Sequence, residues 1–345
     1  MFYNPAMALN RDLASLLLAT RAQDGWSVLD GLAASGVRGL RYALESGARL
    51  QVEFNDWNPV AARLIEENCR ANGVEPHVTQ RNLAPLLYES VWHVVDLDPF
   101  GSPAPFLDPA TRAVRDRGLL GITATDATAL AGVYPKVCRR RYLATPMHNE
   151  LMHEVALRIL AASAVRHAAK HEVALTPVLA HATDHYYRVS LAARRGASRA
   201  DDALAQVGVV FFCRECAARG FSDAELCPAC GAPVDSAGPV WMGPLVDKEV
   251  AAAMLAKAGE STFAHAETPR LLDLLAQEAE APPLFYDLHE MGSRARVGSP
   301  ATEPVLEALR ASGHGAWPVH FHKLAVRTNA SAREMLDIVR DVSSR

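Results

Sequence analysis

The stretch HVVDLDPFGSP, residues 93–103, decides how the rest of the chain is interpreted. Its first half alternates β-branched and acidic residues, which predicts a buried strand, and its second half has the Pro and Gly of a turn. Such a strand brings the carboxylate of Asp98 and the ring of Phe100 to its carboxyl end. Because open α/β sheets bind their ligands at that edge, we predict that this turn lies in the functional site.

The turn has the groups needed to methylate an exocyclic amine of a nucleobase. Such an amine is a poor nucleophile because its lone pair is delocalised into the ring, so a carboxylate must accept its hydrogen bond and finally its proton. Asp98 is the candidate acceptor, Phe100 would stack on the base, and Pro99 fixes φ and leaves nearby carbonyls free to accept a second N–H. An ordinary strand and turn, with the acid capping the next helix, explains the hexapeptide equally well.

Strand and helix patterns alternate through the first 195 residues, which predicts an α/β fold with a doubly wound parallel sheet of the Rossmann type. Two further strands, at 173–180 and 186–193, close the sheet as a pair. The preceding strands are predicted at 28–30, 50–54, 77–80, the stretch before Asp98, and 119–124.

The loop after the first predicted strand indicates a nucleotide-like ligand. It begins at Asp30 and has glycines at 31, 36 and 39, so the backbone can approach a ligand at the start of the next helix. This spacing differs from the G-x-G-x-x-G of dinucleotide sites and favours the looser loop of enzymes that bind S-adenosylmethionine. Asp56, after the second strand, is placed to accept two ribose hydroxyls. Asn82 and Leu83 would lie at the adenine edge.

Size and composition indicate an ordinary globular protein with two domains, which we place at 1–196 and 197–345. The chain has 345 residues, half of them hydrophobic, and a net charge of −4, which argues against broad nonspecific DNA coating. No leader pattern or long apolar run occurs, so we expect a cytoplasmic protein that does not contact the membrane. Three basic clusters could be solvated surface or phosphate contacts, namely 136 with 139–141, then 194, 195 and 199, and finally 294 and 296.

Four cysteines form two pairs at knuckle spacing within 213–230. The ligands are Cys213, Cys216, Cys227 and Cys230. Two C-x-x-C pairs suit tetrahedral Zn²⁺ in a structural site. The alternative, a pair of disulfides, is disfavoured in a reducing cytosol. We therefore expect a zinc knuckle inside an α+β second domain, whose three helices followed by paired strands are winged-helix-like.

Together the motifs resemble the tRNA (guanine-26-N2)-dimethyltransferase family, in the family's own order and over nearly the whole chain. The cysteine quartet resembles the zinc-bearing members. The segments that carry the resemblance are Phe2-Tyr3-Asn4-Pro5 and residues 10–12, 29–39, 98–103, 123–126, 184–186 and 238–245.

The resemblance implies a class I methyltransferase domain that transfers methyl groups from S-adenosylmethionine to N2 of guanine 26 of tRNA. It places Asp98 as the catalytic acceptor in the Asp98-Pro99-Phe100 turn, and Phe2 over a flipped base. It lines the cofactor site with Arg11, Arg38, Asp56, Asn82 and Leu83. Asn82 and Leu83 stand where the family usually has Asp and Ala, so one charge is lost beside the adenine amine.

Three points stay open at the level of sequence. The methyl acceptor is guanine 26 alone, guanine 26 together with guanine 27, or an amino group of another RNA or of DNA. The product carries one methyl group or two. The rival of a different class is a zinc-containing RNA-binding protein without catalysis. The partner expected in either case is RNA, tRNA in the first, with no obligate protein partner.

Overall fold

A computed structural model describes residues 3–183 and 185–344. Its largest element is a seven-stranded sheet in the order β3-β2-β1-β4-β5-β7-β6. The strands are β1 (Ser27–Asp30), β2 (Gln51–Asn55), β3 (Val78–Thr79), β4 (Trp92–Leu97), β5 (Val114–Ala124), β6 (Val173–Thr183) and β7 (Tyr186–Arg195). The first five are parallel, and β7 inserts antiparallel between β5 and β6. The predicted α/β fold is therefore confirmed, with one reversed strand.

Helices cover both faces of this sheet, and their ends follow local sequence signals. Asn58 caps the helix that Pro59 begins, because its side chain accepts a hydrogen bond from the amide of Val60. A short 3-10 helix at Pro5–Met7 precedes the first of them. The helices are α1 (Ala8–Ala19), α2 (Val37–Glu45), α3 (Pro59–Ala71), α4 (Leu83–Glu89), α5 (Ala104–Ala113), α6 (Ala127–Leu130), α7 (Pro135–Tyr142), α8 (Met152–Ala169) and α9 (Ala197–Leu204).

A three-stranded antiparallel sheet carries the four cysteines. It has the order β10-β8-β9, with β8 (Val207–Phe212), β9 (Arg219–Phe221) and β10 (Asp235–Trp241). The sequence patterns do not predict these strands, because they are short, separated by the cysteine turns, and in β10 interrupted by a register shift between Ala237 and Val240. Gly238 and Pro239 lie inside that shift, where a continuous ladder has no place for proline.

The last hundred residues form five helices and a second small sheet. The sheet has the order β11-β13-β12, in agreement with the α+β class predicted for this part of the chain. The elements are α10 (Lys248–Ala258), α11 (Thr268–Glu278), β11 (Tyr286–Asp287), α12 (Leu288–Ala295), α13 (Thr302–Ala311), β12 (Ala316–Pro318), β13 (Ala325–Thr328) and α14 (Ala332–Ser343).

The apolar core continues across residue 196. On one side of the large sheet, the core that contains α8 also includes Trp241 and Phe285. On the other side, the core that contains α1 includes Met254 and Leu272 from α10 and α11. The second half of the chain therefore packs against both faces of the first. Within the described residues, no helix has the length and apolar character that crossing a bilayer requires.

Candidate active site

The turn after β4 lies at the carboxyl edge of the sheet, where hydrogen bonds fix it to the turn after β5. The amide of Gly101 donates to Thr125 Oγ1 at 2.6 Å, and the amide of Thr125 donates to the Gly101 carbonyl at 2.9 Å. Phe100, at the tip, exposes 78 % of its surface, which is unusual for so large an apolar ring. The side chain of Asp98 is 21 % exposed. The turn therefore presents both groups outward, as the sequence predicts.

Asp98 and Phe100 line a cavity of about 240 Å³. We call it the reaction cavity. Residues from four separate segments enclose it, and these segments meet only in the folded chain. The lining consists of Asn4, Ala6, Met7, Asp98, Pro99, Phe100, Thr125, His185 and Tyr186.

One buried arginine controls the orientation of Asp98. Arg38 Nη2 lies 2.6 Å from Asp98 Oδ2, and Arg38 Nη1 donates to Asn10 Oδ1 at 3.1 Å. Arg38 is only 4 % exposed. Burial alone would lower the pKa of Arg38, but the charges of Asp96 and Asp98 outweigh it and hold that pKa well above its usual value. Arg38 is therefore a permanent cation. The other oxygen of the carboxylate, Asp98 Oδ1, accepts no hydrogen bond from the described residues.

Beneath this pair lies a second acid, Asp96, fully enclosed by donors. Arg188 contacts both of its oxygens, at 2.6 and 3.0 Å, and the hydroxyl of Tyr42 donates to it at 2.6 Å. Burial would raise the pKa of Asp96, but Arg188 and Arg38 outweigh it and hold the pKa at about 2. Asp96 has no direction left from which to meet a substrate. Its contribution is to anchor the two arginines below the turn.

The predicted cofactor residues lie around the ends of β1, β2 and β3. Asp56 Oδ2 accepts a hydrogen bond from the amide of Ala34 at 2.9 Å, which joins the loop after β1 to the end of β2. Asn82 caps α4, where its Oδ1 accepts from the amide of Ala84 at 3.1 Å. Leu83 is buried and covers Gly31, where an added Cβ would lie 3.1 Å from the leucine methyl groups. The absence of a side chain at Gly31 therefore allows the loop after β1 to pack closely against Leu83.

Asp30 and Arg11 lie at the same edge, with partners in the protein. The Asp30 carboxylate is 2 % exposed and accepts from the amide of Gly39 at 2.9 Å, so it ties β1 to α2. Burial, with the Asp96 charge as the second cause, raises the pKa of Asp30 to about 7. Arg11 donates to the carbonyl of Asn4 at 3.1 Å and lies 4.9 Å from the ring centre of Tyr3. Arg11 thereby holds the amino-terminal segment against the reaction cavity.

The four cysteines meet at one point between β8 and β10. Their sulfur atoms all lie within 4.8 Å of one another, and the pairs Cys213 with Cys230 and Cys216 with Cys227 are 3.6 and 3.5 Å apart. Four thiolates bound tetrahedrally to Zn²⁺ at about 2.3 Å are about 3.8 Å apart. No disulfide joins them. The geometry therefore fits a structural zinc ion.

Comparison with known proteins decides the family. A profile of the N2,N2-dimethylguanosine tRNA methyltransferases matches residues 1–340. The chain belongs to this family. The resemblance expected from the motifs is confirmed.

Relatives of this methyltransferase span nearly its full length. A tRNA (guanine(26)-N(2))-dimethyltransferase of Methanopyrus kandleri is 41 % identical over 356 residues, 99 % of this chain and 91 % of that one. The protein of the same name from Methanothermobacter thermautotrophicus is 35 % identical over 350 residues, 98 % of this chain and 92 % of that one. The solved complex of Trm1 from Pyrococcus horikoshii with S-adenosyl-L-methionine is 34 % identical, with a TM-score of 0.88, and covers 98 % of this chain and 94 % of that one.

The fold of the methyltransferase gathers most of the predicted site residues at one sheet edge, but not all of them are described. Asp98 and Arg38 are in direct contact, Asp30 ends β1, and Asp56 and Asn82 follow the neighbouring strands β2 and β3. Phe2, predicted to cover the base, and Asp184 of the 184–186 motif lie outside the described residues. Their roles stay predictions.

Three residues of this site were not singled out by the sequence analysis. They are Tyr42, Asp96 and Arg188. The one available signal is the spacing of Asp96 and Asp98, because residues two apart in a strand face the same side. The partners of Asp96 lie far away in sequence, so no local pattern connects them to it.

Proposed function

We propose that this chain transfers one or two methyl groups from S-adenosylmethionine to the exocyclic N2 of guanine 26 of tRNA, with Asp98 as proton acceptor. The observation that carries the proposal is the pairing of Asp98 with the buried Arg38, at the wall of the reaction cavity and beside the exposed ring of Phe100. Membership of the family and the relatives named for this reaction support it. A cytoplasmic location, where tRNA is available, is part of the same proposal.

The chemistry uses the two oxygens of Asp98 differently. Oδ2 stays with Arg38, while Oδ1 accepts an N–H of the guanine amine. The N2 lone pair then forms a bond to the methyl carbon as the carbon–sulfur bond breaks, and that electron pair stays on sulfur. The proton lost from nitrogen passes to Asp98. In a second round the nitrogen has one hydrogen left, so one acceptor suffices.

The base must leave its stack for this geometry, because N2 lies in the minor groove of a paired guanine. Phe100 offers a ring face on which an extruded base stacks. The segment containing Asn4, Ala6 and Met7 closes the other side of the reaction cavity. Arg11 holds this segment, which is a more specific role than the general cofactor contact the resemblance implies. Phe2 would extend the cover over the base.

For the cofactor we propose a site along the loop after β1. Asp56 would accept the ribose hydroxyls, and Asn82 and Leu83 would flank the adenine. Gly31 lets the loop after β1 pack closely beside the Asp98 turn, since an added Cβ there would lie 3.1 Å from Leu83 and from the carbonyl oxygen of Asp96. Arg38 offers a cation beside the reaction cavity, and Asp30 shapes the loop through its bond to Gly39. Bound S-adenosylmethionine supplies the methyl group.

We also propose that Cys213, Cys216, Cys227 and Cys230 bind one structural Zn²⁺. Cys227→Ser should remove the metal, because three thiolates and a hydroxyl bind it far more weakly, and should lower the melting temperature. Elemental analysis of purified protein measures this as a fall from one zinc per chain to nearly none. Cys138→Ala is the control, since Cys138 is buried away from the quartet. Zinc retained at full stoichiometry in Cys227→Ser contradicts the assignment.

The activity is tested with labelled S-adenosylmethionine and an unmodified tRNA transcript. Nucleoside mass spectrometry identifies the product, and mapping locates the label. We expect N2-methylated and N2,N2-dimethylated guanosine at position 26, and no label in a transcript with adenine there. Label confined to position 27, to another amino group or to DNA overturns the assigned substrate. Calorimetry that finds no S-adenosylmethionine binding favours the RNA-binding protein without catalysis.

A further inference from the structure

Helix α7 has one strongly basic face. Lys136, Arg139 and Arg140 have the spacing i, i+3, i+4, which puts three side chains on the same side of a helix. All three are exposed. Cys138 and Tyr142, on the opposite side, are buried in the core that contains α8. The helix is therefore fixed in orientation, with its basic face turned to solvent.

These three cations are not neutralised by the protein. Within the described residues, none of their side chains has an ion pair or a hydrogen bond, whereas Arg141 pairs with Asp126 at 2.8 Å. No Asp or Glu occurs between Asp126 and Glu150. In a chain with a net charge of −4, such a local excess of positive charge is an attractive surface for an anion.

Helix α7 is joined by hydrogen bonds to the turn that presents Asp98 and Phe100. The hydroxyl of Tyr142, at the end of α7, lies 2.9 Å from Ser102 Oγ and 2.7 Å from Asp126 Oδ1. Ser102 belongs to the turn that presents Asp98 and Phe100. A second cavity, of about 290 Å³, shares His185 and Tyr186 with the reaction cavity and reaches Val133, two residues before α7. Helix α7 therefore lies next to the turn of Asp98 and close to both cavities.

The other two basic clusters are unsuitable for the same ligand. Arg194 lies near the carboxyl end of β7, and Ala192 pairs with Leu119 near the start of β5, so the cluster is at the sheet edge opposite the site. Arg195 also donates to the carbonyls of Arg112 and Val114. In the third cluster, Arg294 donates to the carbonyl of Arg214. Within the described residues, Lys136, Arg139 and Arg140 combine cations that lack a protein partner with a position on a helix that contacts the Asp98 turn.

We propose that Lys136, Arg139 and Arg140 bind the phosphates of the tRNA strand that flanks the target guanine. The inference rests on the proposed function and deepens it, since it assigns the backbone contact that holds the strand while one base enters the reaction cavity. Phosphate contacts position a nucleic acid and carry no sequence information. The basic face therefore governs affinity and its dependence on salt, and the cavity governs which base is modified.

The test compares two triple variants with equal loss of charge. The first is Lys136→Gln, Arg139→Gln, Arg140→Gln. The control is Arg115→Gln, Arg117→Gln, Arg194→Gln, three exposed arginines at the opposite sheet edge. For each variant we measure the dissociation constant for tRNA at KCl concentrations between 50 and 300 mM. We also measure the KM and kcat of methyl transfer, and the affinity for S-adenosylmethionine by calorimetry.

For the α7 variant we expect a log–log salt slope smaller by roughly 3, one for each lost phosphate contact, and tRNA affinity weaker by about 200-fold or more at 50 mM KCl, because that change of slope alone is worth about 200-fold between 50 and 300 mM. KM for tRNA should rise while kcat and S-adenosylmethionine affinity stay near wild type. The single variant Arg140→Gln should lower the slope by roughly 1. Slopes unchanged in both α7 variants, or lowered equally by the control, overturn the proposal. Failure of the proposed function itself would show in the wild-type protein, as no methylation of tRNA.

Discussion

Asp96 and Asp98 lie two residues apart and both form ion pairs with Arg38, but their surroundings differ. Asp96 is 1 % exposed, and its oxygens accept bonds from Arg188 and Tyr42. Asp98 is 21 % exposed, and among the described residues its carboxylate is hydrogen-bonded to Arg38 alone. An acceptor for a substrate proton needs a free lone pair that faces a cavity. Asp98 meets this condition and Asp96 does not.

At the level of this residue we predict that Asp98→Asn loses most of the activity. The amide keeps the size of the side chain but cannot take the proton, and general-base catalysis contributes about 10²- to 10⁴-fold to a rate. We therefore expect kcat to fall at least about 100-fold in the labelled-methyl assay. The control is Asp202→Asn, an exposed acid on α9, which should be as active as wild type. Near-normal turnover in Asp98→Asn would assign the base elsewhere.

The raised pKa of Asp30 predicts an unusual dependence of the free energy of unfolding on pH. Its pKa is raised from 3.8 to about 7 by burial and the Asp96 charge, so between these values the folded chain binds a proton that the unfolded chain has lost. This contribution to the free energy of unfolding is therefore present at low pH and falls as the pH rises toward 7, by at most about 1.4 kcal/mol per pH unit.

Asp30→Asn removes that titration. We expect its urea midpoint to change less between pH 5 and 8 than the wild-type midpoint does, because the amide stays neutral throughout. Parallel urea curves at half-unit pH steps measure the difference. Identical pH profiles for the two proteins would show that Asp30 is already ionised at pH 5 in the folded chain.

At the level of elements, the contact between α2 and β2 positions Arg38. Gly39, next to Arg38 in α2, packs directly on the buried ring of Phe54 in β2. A Cβ at Gly39 would overlap that ring, with Phe54 Cδ1 only 2.9 Å away. The glycine therefore sets the distance between helix and sheet, and with it the height of Arg38 beneath the turn.

Gly39→Ala should lower the free energy of unfolding by about 1–2 kcal/mol, since overpacking a rigid core costs more than the helix gains from alanine. Urea denaturation measures it. The matched control is Gly259→Ala at the end of α10, where φ is −63° and an added Cβ meets nothing within 4 Å. The control should be neutral or slightly stabilising. Equal effects at both sites would contradict this account of the α2 contact.

At the scale of the whole molecule, a buried ionic network joins the two halves of the chain. Arg327 of β13 lies 3.0 Å from Glu154 of α8 and 3.2 Å from Glu278 of α11, and Arg158 pairs with Glu154 at 2.7 Å. Burial would raise the pKa of Glu154, but Arg327 and Arg158 outweigh it and lower that pKa from 4.5 to about 2. The stability this carboxylate contributes is thus present above pH 4.5 and lost as the pH falls toward 2.

Arg327→Met should destabilise the protein by about 3–5 kcal/mol, because it leaves two buried carboxylates short of a partner. The loss is measured as the free energy of unfolding in urea at pH 7. Arg340→Met, which removes an exposed partner of Asp337 at a similar volume, should cost less than about 0.5 kcal/mol. A loss below 1 kcal/mol in Arg327→Met would mean that the network contributes little to joining the halves.

The domain division at residue 196 stays a prediction. The packing of residues beyond 196 against α8 decides whether the two halves can be studied separately. Composition changes near that point, but Trp241 and Phe285 share a core with α8. The carbonyls of Trp241 and Gly243 also accept hydrogen bonds from Arg158. Experiments on the methyltransferase half should therefore use the full chain.

The sequence by itself determined the elements whose signals are local. Alternating apolar and acidic residues placed β4 and its turn, and so identified Asp98 and Phe100. The paired C-x-x-C motifs marked the four cysteines that the fold brings together, and the alternation of strands and helices defined the sheet. Each of these depends on residues within a few positions of one another, where backbone geometry follows directly from residue type.

Only the tertiary structure decided which charges are neutralised and which are available. Asn10, Tyr42, Asp96 and Arg188 come from four distant segments, and their pairing depends on how α1, α2, β4 and β7 pack. The choice of α7 among three basic clusters depends on sheet direction, since β7 runs antiparallel and carries Arg194 to the far edge. Electrostatic energy depends on distance and burial, and neither is determined by sequence spacing once a contact joins remote parts of the chain.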